Sequence, residues 1–376
     1  MNIGYIIETS KKSAGSYYQS LNLLYDIKKN FKKEIKIKLF QNKNRNLKSI
    51  NKKDTYFSFN LFDKIILKLS KHIFFRFFLN LFGLLTSFEK ILIKQKIDLI
   101  IFPTPSDLQY AISKTKFITT IFDLCHLEHK RFSEVDFEEY KKREKFYNYI
   151  SHNAEGIITN SKIIKKQISM RYQYPPNNIF TIPFNPIEKK YKKILIKQKF
   201  FLYPANYWEH KNHEIIIKAT KKLVQNYLIN FKCIFTGTDK GYLNEINNSI
   251  KKNGLKKYFE IKNFVDEKYL INLYKNCLGV IMTSHFGPTN LPPLESFIYK
   301  KPLIYNSKFS NEIPKENCLM VNVNNSVDLA KAMKIILDKK YPKKMIINSQ
   351  NFIKFKKKEN IEQVLKLEKF INILNK

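Results

Sequence analysis

One stretch of the sequence, residues 283–306, has the residue types of a nucleotide-binding site. The apolar run 278–282 predicts a buried strand, and a turn around Gly287 leads into a helix with Pro292 in its first turn. Free amides at a helix N-terminus favour anions such as a diphosphate. Glu295, near the start of that helix, could accept two ribose hydroxyls. An ordinary strand–helix–strand unit with a surface glutamate is the alternative interpretation.

Polar residues also follow two other predicted strands. Lys211 comes after the strand 201–204, at the start of the next helix, where its ammonium group would oppose a diphosphate. Asp123 follows the strand 117–122, and His126 comes three residues later. Ligands of open α/β sheets bind at the carboxyl ends of the strands. These residues are therefore candidates for binding and catalysis, although a lone histidine is often structural.

Two series of strands that alternate with amphipathic segments must position these side chains. This alternation predicts parallel sheets built from βαβ units, and therefore an α/β protein with two doubly wound domains. A stretch with two prolines and a run of charge, 183–199, predicts the linker, and 346–376 predicts a terminal helix. The predicted strands are 2–7, 34–39, 97–102, 117–122, 156–160, 179–182, 201–204, 231–236, 258–263, 278–282, 302–305 and 318–323.

The motif FGPTNLPPLES, from Phe286 to Ser296, resembles the donor-site motif of family-4 retaining glycosyltransferases with the GT-B fold. It is similar to the variant branch in which Phe-Gly-Pro-Thr-Asn precedes Leu-Pro-Pro-Leu-Glu. The resemblance implies two Rossmann-like domains that face each other across a cleft. Residues 1–185 would bind the acceptor, 200–345 would bind a nucleotide sugar, and the helix 346–376 would cross back to the N-terminal domain.

The same resemblance implies roles for the residues of this motif. Glu295 would hold the ribose, and the backbone amides of Thr289, Asn290 and Leu291 would face the diphosphate. The family usually has a glutamate on the donor sugar where this chain has Ser284. Ser284, His285, Phe286 and Gly287 are therefore the donor-sugar candidates.

The resemblance extends to loose matches elsewhere in the chain. Lys211 matches the lysine of a phosphate-binding pair, whereas Asn206 stands where an arginine is usual. Asp123 and His126 match an Asp-Leu-Cys-His segment, which implies a catalytic role. Gly237 would allow the backbone to approach the donor, Asn263 and Phe264 would contact the base through the main chain, and Gly15 and Ser161 would lie on the acceptor side.

The implied activity is that of a hexosyltransferase-type glycosyltransferase. It would move a sugar, with retention, from a UDP- or GDP-linked donor to a glycan or lipid-linked glycan in surface polysaccharide or glycoconjugate synthesis. No cofactor or metal ion is expected, since the sequence has no Asp-x-Asp motif and no His/Cys set with metal-ligand spacing. A GT-B protein that binds nucleotide sugars or glycans without turnover is the alternative function.

The charge of the chain is strongly positive, with 68 Lys and Arg against 32 Asp and Glu, a net charge of +36. Such a field attracts anions, including nucleic acid and anionic lipid. The basic residues are spread over the whole chain, so specific nucleic-acid binding is not expected. The four cysteines are widely spaced and predict buried, reduced thiols. The N-terminus predicts a first strand and not a signal peptide, and we expect a cytoplasmic protein.

The segment 61–96 is rich in phenylalanine and leucine, and its basic residues gather near one end. Two interpretations remain open. It could be an interfacial helix that inserts into an anionic membrane, which would place the protein on the inner face of the cell membrane. It could equally be a helical pair packed on the N-terminal sheet. The basic residues are Lys64, Lys68, Lys71, His72 and Arg76.

Overall fold

The computed structural model describes residues 1–9, 15–43, 54–129, 131–189, 191–287 and 291–375, apart from the side chain of Ser133. These residues divide into two compact units. Unit 1 contains residues 1–124, 141–185 and 358–376, and unit 2 contains 125–140 and 186–357. The chain therefore passes from unit 1 into unit 2 and back within the short segment 125–140, an excursion that the sequence does not predict.

Unit 1 is built on a parallel sheet. In the described residues it has seven strands in the order β3-β2-β1-β4-β5-β6-β7. The order reverses between β1 and β4, which pair in parallel with Ile3 opposite Leu99. The strands are β1 (Asn2–Ile7), β2 (Lys36–Asn42), β3 (Thr55–Phe57), β4 (Leu99–Ile101), β5 (Lys116–Thr120), β6 (Gly156–Thr159) and β7 (Ile179–Thr181).

Unit 2 has a second parallel sheet, with six strands in the described residues and the order β10-β9-β8-β11-β12-β13. Here the order reverses between β8 and β11, which pair with Phe201 opposite Gly279. Both sheets therefore have the doubly wound topology. The strands are β8 (Phe200–Pro204), β9 (Lys232–Thr236), β10 (Phe259–Lys262), β11 (Gly279–Met282), β12 (Leu303–Asn306) and β13 (Leu319–Val321).

Helices connect the strands of both sheets. In unit 1 they are α1 (Gly15–Asn30), α2 (Leu61–Ser70), α3 (Ile73–Leu81), α4 (Ser87–Lys94), most of α6 (Phe137–Asn153) and α7 (Lys162–Tyr172). The short α5 (Cys125–Glu128) and the first residues of α6 belong to unit 2. Unit 2 has α8 (His213–Asn226), α9 (Leu243–Lys252), α10 (Glu267–Asn276), α11 (Leu291–Ile298) and α12 (Ser326–Leu337), and α13 (Lys343–Leu374) ends the chain.

Side-chain caps fix several of these helix starts. Ser161 accepts hydrogen bonds from the amides of Ile163 and Ile164 at the start of α7. Asp266 accepts one from Tyr269 at the start of α10, and Asp136 accepts one from Glu139 in the first turn of α6. Each cap satisfies an amide that the helix itself leaves unpaired.

The long terminal helix α13 takes part in both units. Its last part belongs to unit 1, where Val364, Leu367 and Ile371 are fully buried against β1 residues such as Ile3 and Tyr5. This burial anchors the C-terminus of the chain in the core of the N-terminal unit.

The prediction of an α/β protein with two doubly wound parallel sheets is confirmed. The predicted strands match the observed ones to within a few residues, but β3, a strand of three residues at the sheet edge, is not predicted. The four cysteines are buried and form no disulfide, as expected. Among the described residues, no helix combines the length and apolar character needed to cross a membrane.

Candidate functional site

The polar residues of unit 2 converge where the strand order reverses. The loop after β8 ends in Lys211, and the loop after β11 contains Ser284. The Lys211 Nζ lies 3.5 Å from the Ser284 Oγ, and the Thr283 hydroxyl donates a 3.2 Å hydrogen bond to the Lys211 carbonyl. This reversal is the position at which open α/β sheets bind their ligands.

The loop after β8 is held in a fixed conformation. The Tyr203 hydroxyl donates to the Lys211 carbonyl at 2.5 Å. Lys211 ends a short 3-10 turn, and Asn212 follows in the left-handed conformation, with φ of 54°, before α8 begins at His213. Lys211 lies just before the first turn of α8, as the sequence predicts.

Asn206 and Gly237 join the ends of β8 and β9. The Asn206 Oδ1 accepts a 2.9 Å hydrogen bond from the Thr238 amide. A Cβ atom on Gly237 would lie 2.3 Å from the carbonyl oxygen of Ala205, so only glycine fits this backbone contact. The expected approach of Gly237 to a donor stays a prediction. The structure gives a separate reason for glycine at this position.

Ser284 stabilises the loop after β11. It is buried, its hydroxyl donates to the Phe286 carbonyl at 2.6 Å, and its carbonyl accepts a 2.9 Å hydrogen bond from Asn306. Gly287 follows with a positive φ of 80°, a conformation that favours glycine. The serine therefore shapes the turn at the position where the family that the motif resembles usually has a glutamate.

Glu295 is the fifth residue of α11 and is half-buried. Its Oε2 accepts a 2.6 Å hydrogen bond from the hydroxyl of the buried Tyr274. Desolvation raises the pKa of Glu295, and the hydrogen bond from Tyr274 opposes this rise without cancelling it. A carboxylate in such surroundings gains from a further hydrogen-bond donor, as a ribose hydroxyl would supply.

The segment 125–140 packs against this site, and the sequence does not predict this. Phe132 lies 5.6 Å from the ring of Phe286, which stacks on His210 with centroids 3.8 Å apart. The ring of His210 is hydrogen-bonded to Glu134, whose side chain is almost fully buried. The acidic residues among 134–139 are typical of a solvated helix start, but the side chain of Glu134 is buried instead.

The Glu134–His210 pair is held by several hydrogen bonds. The His210 amide also donates to the Glu134 carboxylate, at 3.1 Å. Desolvation disfavours the charged carboxylate, but the hydrogen bonds from the His210 ring and from backbone amides outweigh it and lower the pKa of Glu134 to about 2. The pair therefore fixes the His210 ring on which Phe286 of the candidate donor loop stacks.

His285 is half-buried beside the same cluster. Its amide donates a 2.9 Å hydrogen bond to the carbonyl of His210, and its ring lies 5.4 Å from that of Phe132. Desolvation, followed by the charge of Arg131, lowers the pKa of His285 to about 4. The ring is neutral at pH 7, so it can accept as well as donate a hydrogen bond to a ligand.

The structure does not place Asp123 and His126 in the same unit. Asp123, in unit 1, accepts a 3.1 Å hydrogen bond from Arg143. His126, in unit 2, is fully buried, and its ring lies 5.7 Å from that of Tyr140. The roles expected for the two residues stay predictions. In this conformation the imidazole of His126 has no exposed surface for a substrate.

The other predicted residues lie as follows. Asn263 and Phe264 are exposed after β10, and Leu291 is buried as the first residue of α11. In unit 1, Gly15 is the first residue of α1, and Ser161 is buried as the cap of α7. Thr289 and Asn290 lie outside the described residues. No group of three His, Cys, Asp or Glu suited to a metal ion occurs in the described part of the chain.

A family comparison bears on this site. Residues 186–367 match the family described as glycosyl transferases group 1. The match spans nearly all of unit 2 and part of α13. No curated protein sequence matches the chain.

Solved structures share the fold over the whole chain. Sucrose-phosphate synthase from Thermosynechococcus elongatus aligns with a TM-score of 0.73 at 13% identity, over 100% of this chain and 99% of its own. Anabaena Alr3699/HepE in complex with UDP and glucose aligns with a TM-score of 0.68 at 14% identity, over 98% of this chain and 100% of its own. A glycosyltransferase from Rickettsia africae aligns with a TM-score of 0.62 at 15% identity, over 99% of this chain and 98% of its own. The fold is GT-B.

Proposed function

We propose that this chain is a group 1 glycosyltransferase that moves a hexose, with retention, from a UDP- or GDP-linked donor to a glycan or lipid-linked glycan. The observation that carries the proposal is the 3.5 Å approach of the Lys211 Nζ to the Ser284 Oγ at the strand reversal of unit 2, in the loop that precedes α11 in the chain. The family match covers this unit. UDP-glucose is the ligand in a second structure of Anabaena HepE, which has the same fold, and this supports a nucleotide sugar as the substrate. Unit 2 would bind the donor and unit 1 the acceptor.

In this proposal the donor lies across the two loops at the strand reversal. The carboxylate of Glu295 accepts hydrogen bonds from the ribose, while the Leu291 amide and the Lys211 ammonium face the diphosphate. The next two residues of α11 are prolines and have no N–H to contribute. His285 and the backbone around Phe286 and Gly287 face the donor sugar. Asn263 and Phe264, after β10, are the candidates for contact with the base.

The reaction replaces one bond at the anomeric carbon by another and transfers one proton. The acceptor hydroxyl oxygen forms a bond to the anomeric carbon on the face that the diphosphate leaves, which preserves the configuration. The bond from that carbon to the diphosphate oxygen breaks, and the diphosphate takes the electron pair. The hydroxyl proton passes to an oxygen of the leaving diphosphate. Lys211 stabilises the charge that grows there, which is the largest contribution we assign to the protein.

We expect the reaction to need no divalent ion and no cofactor. Asp123 and His126 remain candidates for contact with the substrate near the reacting carbon. For His126 this role requires a rearrangement of the segment 125–140, since its side chain is fully buried.

A second function, donor binding without turnover, is favoured by one observation. The side chains that stand in place of the family's arginine and glutamate, Asn206 and Ser284, hydrogen-bond to the backbone of their own loops. They contribute no charge to the site. Nucleotide-sugar binding without transfer or hydrolysis would support this function over the first.

We also propose that unit 1 binds an anionic membrane surface through α2 and α3. Within α3, Ile73, Phe74, Phe77 and Leu81 expose more than 60% of their surface to solvent. Soluble monomers rarely leave so many large apolar side chains together on their surface. The net charge of +36 complements an anionic bilayer, which favours this occupant over a protein partner.

A thermal-shift panel of UDP- and GDP-linked sugars, run with and without chelator, tests the proposed function. We expect one nucleotide class to raise the melting temperature, with the same increase in the presence of chelator. The corresponding sugar nucleotide should be consumed when an acceptor is supplied. A panel in which no sugar nucleotide stabilises the protein would exclude the proposed function.

A further inference from the structure

A cavity of about 780 Å³ lies in unit 1, at the reversal of strand order between β1 and β4. Its lining includes residues that follow the carboxyl ends of β1, β4 and β5. A cavity of this volume accommodates a small ligand, and a strand reversal is where ligands of such sheets bind. The donor site proposed above does not use it.

One wall of the cavity is basic. Helix α2 contributes Lys64 and Lys68, its C-cap residue is Lys71, and α6 contributes Lys142. The spacing of the first three places them on one face of α2. The Nζ of Lys71 lies 2.5 Å from a carboxylate oxygen of Asp107, which also lines the cavity. In the described part of the chain, Lys64 and Lys68 have no carboxylate within ion-pair distance.

The arrangement of Lys64 and Lys68 is unfavourable without a ligand. The two residues are four apart on one helix, so their ammonium groups repel each other and destabilise α2. An anion between the two groups would relieve this repulsion. Phosphate suits such a site, because lysine binds it as a point charge through several hydrogen bonds.

The cavity also contains a carboxylate suited to hydroxyl groups. Glu8 is buried at the end of β1 and lines the cavity together with the hydroxyl residues Thr104 and Ser106. A ligand with hydroxyls at one end and a phosphate at the other fits both Glu8 and the lysine wall.

We propose that this cavity binds the acceptor, and that the acceptor is a glycan carrying a phosphate group held by Lys64 and Lys68. The inference rests on the proposed function, in which unit 1 binds the acceptor, and it adds the chemical class of that substrate. The Glu8 end of the cavity receives the sugar hydroxyls.

The other faces of α2 fit a phosphate that joins a glycan to a lipid. Asp63, Ile66 and Ser70 are buried, whereas Leu61 and Ile65 are exposed at 75% and 49%. At 100° per residue, the lysine face lies between the buried face and this exposed apolar face. The phosphate of a lipid-linked glycan would therefore meet the lysines beside the surface proposed to contact the membrane.

Pyrophosphate binding tests the inference on the full chain. The titration is done by calorimetry at low ionic strength in a Lys211→Ala background, which removes the proposed diphosphate contact in unit 2. We expect Lys64→Gln/Lys68→Gln to raise the Kd for inorganic pyrophosphate about tenfold or more. The matched control, Lys32→Gln/Lys33→Gln, changes two exposed lysines between α1 and β2. They precede the amino end of β2, whereas the cavity lies at the carboxyl ends of the strands.

The control should change the Kd less than about twofold if Lys64 and Lys68 contact the pyrophosphate directly. If the overall positive potential of the protein caused the binding, removing any two lysines would weaken it equally. Equal weakening by both pairs, or no weakening by Lys64→Gln/Lys68→Gln, would overturn the inference. The sugar-nucleotide thermal shift is measured on the same variants without the Lys211 change and should be retained. If the wild type shows no such shift, the proposed function fails separately from the pyrophosphate result.

A vesicle arm distinguishes the source of the phosphate. The wild type is floated with phosphatidylcholine vesicles that contain either phosphatidic acid, a phosphate monoester, or phosphatidylglycerol at equal total charge. Preference for phosphatidic acid that Lys64→Gln/Lys68→Gln removes would support a lipid-linked phosphate. Equal flotation of the wild type with both kinds of vesicle, together with the raised pyrophosphate Kd of Lys64→Gln/Lys68→Gln, would support a soluble phosphorylated glycan. If Lys64→Gln/Lys68→Gln loses flotation with both kinds of vesicle but binds pyrophosphate as before, the two lysines contact lipid headgroups, and the cavity site is overturned.

Discussion

The hydroxyl of Tyr274 donates a 2.6 Å hydrogen bond to Oε2 of Glu295. Burial and the nearby carboxylate raise the pKa of Tyr274 well above its usual value, so this hydroxyl keeps its proton and acts as a donor. One carboxylate oxygen is thereby fixed, and the carboxylate is oriented before any ligand binds. Such preorganisation reduces the entropic cost of binding a ribose.

The charge of Glu295 should strengthen ligand binding and lower the stability of the folded protein. Its folded pKa is raised from the ordinary 4.5, so the folded state binds more protons, and the carboxylate lowers stability as pH rises above about 4.5. We therefore predict that Glu295→Gln raises the melting temperature of the free protein at pH 7. The same change should reduce the stabilisation by sugar nucleotide. A merely structural role would lower both quantities.

Glu295→Ala removes the ribose contact completely. We predict that it weakens donor binding by about 1.5–3 kcal/mol, the range for hydrogen bonds to a charged group, as measured by calorimetry. The control is Glu245→Ala, which removes an exposed carboxylate on α9 of the same unit. Unchanged nucleotide affinity in folded Glu295→Ala would exclude Glu295 from the site.

The Glu134–His210 pair predicts a specific acid sensitivity. The folded pKa of Glu134 is depressed to about 2, so its contribution to stability is present above about pH 4.5 and is lost as pH falls toward 2. We predict that Glu134→Gln destabilises unit 2 at pH 7 by on the order of 2 kcal/mol and flattens the fall in stability below pH 4.5. Denaturant unfolding between pH 2.5 and 7 measures both. If the free energy of unfolding depends on pH in the same way in wild type and variant, the pair contributes nothing to the acid sensitivity.

Membrane binding should depend on the exposed side chains of α3. We predict that the wild type floats with anionic vesicles at low salt, and that Phe74→Ser/Phe77→Ser reduces the bound fraction about tenfold or more, because each phenylalanine buries apolar area on insertion. Met170→Ser/Leu228→Ser is the matched control, since both residues are highly exposed outside α3. Absence of wild-type flotation at low salt would favour the interpretation of 61–96 as an ordinary surface helical pair.

Much of the fold follows from local sequence patterns. Apolar runs bounded by polar residues locate the strands, and caps such as Ser161 and Asp266 locate helix starts, since both signals lie within a few residues of their effect. Lys211 was placed at a helix N-terminus for the same reason. A short edge strand such as β3 has too few apolar residues to give a comparable signal.

The contacts of the segment 125–140 could not be predicted in this way. The burial of Glu134 depends on His210, which is 76 residues away in the sequence. Nothing local to Glu134 distinguishes it from the solvated carboxylates of the following helix. The hydrogen bond between Tyr274 and Glu295 was also missed, because each residue has an adequate local explanation as part of α10 or α11.

The central claim is that Lys211 stabilises the charge of a departing diphosphate, and the turnover of Lys211→Ala tests it most directly. Because this charge grows in the transition state, the loss should appear mainly in kcat, on the order of 100- to 1000-fold, with little change in KM. Lys211→Arg should restore the rate only in part, since a planar fork replaces a point charge. Chelator should leave the wild-type rate nearly unchanged. Near-normal kcat in Lys211→Ala, or activity that vanishes with chelator, would contradict the account.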